Sequence, residues 1–126
     1  MKKLFITIIL TAFILIPAGM GWAANTVVTG GEFNQYVDIS AMDTNYDAGA
    51  DRYLVSIQFN PGSTGTDVLI VRHASATGPI IMKVTANAAN DESCKYFDGM
   101  KVRPYIKYSE CTLSSGHRIM ITYGER

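Results

Sequence analysis

Tryptophan occurs once in this 126-residue chain, cysteine twice and histidine twice, and charged residues make up only 17% of it. Each shortage excludes something. No C-x-x-C pair is present, so the common dithiol and zinc-ribbon patterns are absent. No G-x-S-x-G or comparable nucleophile context occurs. The basic residues Lys83, Lys95, Lys101, Arg103, Lys107 and Arg118 are spread among acids rather than gathered in a patch, which argues against a nucleic-acid binder. No window after residue 25 keeps a helical period.

Charge is also missing from the whole stretch between Lys3 and Glu32. Lys2 and Lys3 precede an apolar run from Leu4 to Ile16, then Pro17, Gly19 and the small-residue stretch Gly21-Trp22-Ala23-Ala24. This is the layout of a secretory signal, with cleavage expected after Ala23 or Ala24. A retained membrane anchor is the alternative, but the strongly apolar core is short, and Pro17 with the glycines ends a helix where cleavage needs extended backbone. No cysteine follows the run, which excludes lipoprotein processing. Removal of residues 1–24 leaves one domain, residues 25–126, and shifts the net charge from zero to about −2. Trp22 leaves with the signal.

What is present reads as β-structure. Arg52–Asn60 alternates, with Tyr53, Val55, Ile57 and Phe59 expected on one face. Val68–Val71 is apolar on both faces, as in a central strand. Phe33–Ser40, Pro79–Thr85, Lys101–Tyr108 and Arg118–Tyr123 supply further strands, the last with Ile119, Ile121 and Tyr123 on one side. Asn60–Gly65 and Ser75–Gly78 read as hairpin loops, and Asp98-Gly99 as a type I′ turn. Pro104 cannot donate to a ladder, so its strand is expected at an edge or on a bulge. The fold class is all-β, an antiparallel sandwich or barrel of about six to eight strands.

Few residues nominate chemistry. Asp43, Asn45, Asp47 and Asp51 alternate oxygen donors as a calcium loop does, although position six is Ala48 and position twelve Leu54. Calcium is therefore the one cofactor to consider, against a plain polar connection. Cys94 and Cys111 in an exported chain are expected to form a disulfide. His73 and His117, with Ser75 or Ser115 nearby in sequence, permit a hydrolytic triad only on paper, and two isolated histidines at strand ends read as solvated loop residues. Among seven tyrosines, Tyr105 between Arg103 and Lys107 reads as an outward aromatic-basic binding face, with ordinary cross-strand packing as the bland alternative.

The run Ser56–Pro61, Asp67–Arg72, Ala76–Ile81 and Tyr105–Ile106 before Ser109–His117 resembles small all-β proteins of phage and prophage structural-gene neighbourhoods. That resemblance implies a virion-associated or accessory protein without catalytic residues. From the residues themselves, the expectation is an exported, non-catalytic β-sandwich that binds a protein or an envelope glycan, or self-assembles. It needs no nucleic acid, and meets a membrane only if the signal is retained.

Overall fold

The computed structural model describes residues 25–30 and 34–125; the expected signal segment lies outside them. Among the described residues the strands are β1 (Asn25–Gly30), β2 (Asn34–Ile39), β3 (Tyr46–Asp47), β4 (Arg52–Asn60), β5 (Val68–His73), β6 (Ile80–Thr85), β7 (Ser93–Val102), β8 (Pro104–Ile106) and β9 (Arg118–Gly124). A single 3-10 turn follows β8 at Tyr108–Glu110. One sheet has the order β1-β2-β9-β4-β7 and the other β3-β8-β5-β6. Each pairing is antiparallel. The protein is all-β, and of the two architectures expected it is the sandwich.

Strand alternation delivers the core. Ile119, Ile121 and Tyr123 of β9, Leu69 and Val71 of β5, and Ile57 and Phe59 of β4 all turn inward, with Ile39 and Ile106 beside them. Removing each such aliphatic side chain from water contributes about 1.5–3 kcal/mol. The β5 strand lies between β8 and β6, as its two-sided apolar run predicts.

On β4 the face assignment changes halfway. Leu54 is fully buried, as are Ile57 and Phe59, whereas Tyr53 and Val55 are half-buried. The register shifts between Leu54 and Ser56 against both neighbours, β7 and β9. This bulge inserts Val55 and reverses which parity points inward. Opposite it on β7, Asp98 and Gly99 both have positive φ, 49° and 71°. Their dihedrals are those the type I′ reading calls for, but they serve a bulge within one continuous strand rather than a hairpin.

Two further segments also differ from expectation. Asn60–Gly65 carries the chain from one sheet to the other, so it is not a hairpin loop. It is pinned by the buried Asp67 carboxylate, which accepts from Gly62 N (2.7 Å), Ser114 N (3.0 Å) and Thr64 Oγ1 (3.3 Å). Lys101–Tyr108 is not one strand: the chain leaves the first sheet after Val102 and joins the second at Pro104. Pro104 opens a short inner strand, where its missing N–H costs no ladder bond and its carbonyl accepts from Ala48 N at 3.0 Å. The free edges are elsewhere. On the edge strand β7, exposed Lys95 shares the face of buried Phe97, lies 5.2 Å from its ring and donates across the sandwich edge to Ile81 O at 2.7 Å. A bulge and a lysine on the edge both discourage edge-to-edge pairing.

Candidate functional site

The acidic loop does not form a cation cage. Asp47, on β3, takes the Arg103 guanidinium in a two-point ion pair and also accepts from Gly49 N at 2.8 Å. The Arg103 bond is the main reason the Asp47 carboxyl sits below its ordinary range. Asn45 Oδ1 is occupied by Tyr108 N at 2.9 Å, while Asp43 and Asp51 are exposed. Among the described residues no three His, Cys, Asp or Glu side chains gather as metal ligands. The Asp47 and Asn45 oxygens thus hold the strand connection.

The Arg103–Tyr105–Lys107 face exists but is largely neutralised. Cross-strand pairing sets Tyr105 between Asp47 of β3 and Arg72 of β5 on the outer surface. Arg103 pairs with Asp47, and Glu110 receives both Arg72 Nε (2.9 Å) and Lys107 Nζ (3.3 Å). These contacts pull the Glu110 carboxyl down, Arg72 most strongly. Tyr105 is half-buried within this lattice, which matches the cross-strand packing alternative.

Both cysteines are free thiols. Cys94 is exposed on β7 of the first sheet, opposite Gln58. Cys111 is half-buried after the 3-10 turn, 3.8 Å from Ile70 O in the second sheet. Cys94 and Cys111 are not paired in this structure. Burial pushes the Cys111 thiol up.

The histidines are bound to backbone. His117, expected to be solvated, is buried: Met42 N donates to its Nε2 at 2.9 Å. Nδ1 therefore carries the proton and donates to Ser114 O at 2.7 Å. His73 Nδ1 accepts from Arg103 N at 3.2 Å. Among the described residues neither ring is hydrogen-bonded to a serine hydroxyl.

Sequence reasoning missed a cleft at one end of the first sheet. It occupies about 380 Å³ and is lined by Gln35, Arg52, Tyr53, Tyr123, Gly124 and Glu125. The register explains why these residues meet. Gln35 opposes Tyr123, which opposes Leu54, and Tyr53 opposes Gly124, so the start of β2, the end of β9 and the start of β4 form one rim. Tyr123 is held from the far sheet, its hydroxyl 2.9 Å from that of Tyr46. Burial, then Tyr46, raises the Tyr123 phenol far above its ordinary value, so it stays neutral. The Arg52 guanidinium carbon lies 5.3 Å from the Tyr123 ring centroid, and Arg52 Nη1 donates to Gln35 Oε1 at 2.9 Å. The arrangement offers aromatic surface, a fixed cation and an amide on strands, with the Glu125 carboxylate just past the end of β9.

No family model matches the chain, and no curated protein does. Among solved structures, the chain is similar to a carbohydrate-binding module, CBM6cm-2, from Cellvibrio mixtus lichenase 5A in complex with cellotriose. The TM-score is 0.41 and the identity 10%, over 82% of this chain and 89% of that one. A likeness this distant assigns neither family nor ligand.

Proposed function

We propose that the protein is an exported, non-catalytic β-sandwich that binds a glycan of the cell envelope or its surroundings in the cleft between β2, β9 and β4. The observation that carries this reading is the rim cleft itself. Its volume falls in the range of small-molecule sites, and such sites combine apolar surface with a few placed polar groups. Half-buried Tyr53 supplies the first, and Gln35, Arg52 and Glu125 supply hydrogen-bonding partners for hydroxyls. The commitment of both histidines to backbone partners favours binding over hydrolysis.

The test is an NMR titration of the exported protein with neutral and acidic oligosaccharides, read at the backbone amides. Saturable shifts at Arg52, Tyr53, Tyr123 and Gly124 are expected with at least one sugar. Shifts confined to the Tyr105 face, or none with any sugar, would overturn the reading.

A further inference from the structure

We infer that the cleft selects a sugar carrying a single carboxylate, a uronic-acid residue within a glycan; this rests on the cleft being a glycan site. The argument starts from how the protein treats its arginines. Arg72 pairs with Glu110, Arg103 with Asp47 and Arg118 with Asp38. Arg52 differs. Among the described residues it has the Gln35 amide oxygen and the Tyr123 ring as partners, and no carboxylate within ion-pair distance.

Arg52 is also partly shielded and lines the cleft. A guanidinium has five N–H donors in a planar fork, and Gln35 takes one of them. Contact with Tyr123, itself fixed through Tyr46, limits how that fork turns. A preorganised fork loses little freedom on meeting a planar carboxylate, which accepts two parallel bonds from it. Glu125 on the same rim sets the limit. Its negative charge disfavours a second anionic group while accepting bonds from hydroxyls, so one carboxylate on a hydroxylated ring fits better than a polyanion.

The experiment compares a trisaccharide carrying a single galacturonic acid residue with its methyl ester and with acetate, by calorimetry on the wild-type, Arg52→Gln and Arg118→Gln proteins. Loss of a charge-assisted bond is worth about tenfold or more in affinity. The acid is expected to bind, the ester to fall by that factor, and Arg52→Gln to bring the acid down to the ester. Arg118→Gln should leave all three unchanged, and acetate should bind far more weakly than the trisaccharide. Equal affinity for acid and ester overturns the carboxylate inference while leaving the glycan reading intact. Acetate binding as tightly as the trisaccharide overturns the sugar part. No cleft binding by either sugar removes both. If Arg52→Gln does not fold, the acid–ester comparison on wild-type protein decides.

Discussion

Tyr46 and Tyr123 join the two sheets hydroxyl to hydroxyl at 2.9 Å, behind the cleft. The residues lie 77 positions apart, and both are largely buried. Tyr123 thus faces the core with its ring held against Arg52, so the wall of the proposed site is also part of the packing.

A phenylalanine at either position leaves the other hydroxyl buried without its partner. Tyr46→Phe or Tyr123→Phe is expected to cost about 1–3 kcal/mol in urea unfolding, and the double substitution less than the sum, because both polar groups then go. Strict additivity would contradict this. The raised phenol also has a pH signature. A folded value above the unfolded one means stability is unaffected below about pH 10 and is lost as pH rises beyond it. The double phenylalanine variant should show less of this alkaline loss.

At the other end of the pH scale stands Asp67. Burial alone would raise its carboxyl, but hydrogen bonds from Gly62, Ser114 and Thr64 outweigh that and hold it low. Its contribution is therefore present above about pH 4 and lost as pH falls through the depressed folded value. Asp67→Asn should destabilise at neutral pH by about 1–3 kcal/mol and flatten the acid limb of the stability profile. An unchanged acid limb would show that Asp67 does not carry it.

These two anchors also mark what was legible in the sequence. The inward alternation of β9 and the two-sided apolar run of β5 are direct consequences of residue order, and both were readable. On β4 alternation misleads, because the Val55 bulge reverses it and no residue type announces that reversal. Asp98-Gly99 names its dihedrals correctly but not its place, since bulges and hairpins use the same left-handed pair. The Arg103–Tyr105–Lys107 stripe is outward as read, yet its charge is cancelled by Asp47 and Glu110, whose proximity depends on pairing with β3 and on the turn after β8. The cleft is assembled from residues 35, 52, 53 and 123–125. Only sheet order brings them together, and the abundance of tyrosine was its sole trace.

The thiols give a simple check on the cysteine pairing. Mass spectrometry after alkylation without reductant should find two modified cysteines, with Cys94 reacting first because it is exposed and the Cys111 thiol is shielded. An unreactive pair whose mass corresponds to a bridge would contradict the separation of the two residues.

The signal segment has its own readout. Protein recovered from outside the cytoplasm should begin at Ala24 or Asn25 and show no tryptophan fluorescence, because Trp22 is the chain's one tryptophan. An exported protein that keeps that fluorescence retains its N-terminus, and the domain is then tethered to a membrane.

The rim cleft is tested most directly by a crystal structure of the protein soaked with an acidic oligosaccharide. The account predicts a sugar ring against Tyr53, with its carboxylate on the Arg52 fork. Sugar bound on the Tyr105 face with the cleft empty would contradict it.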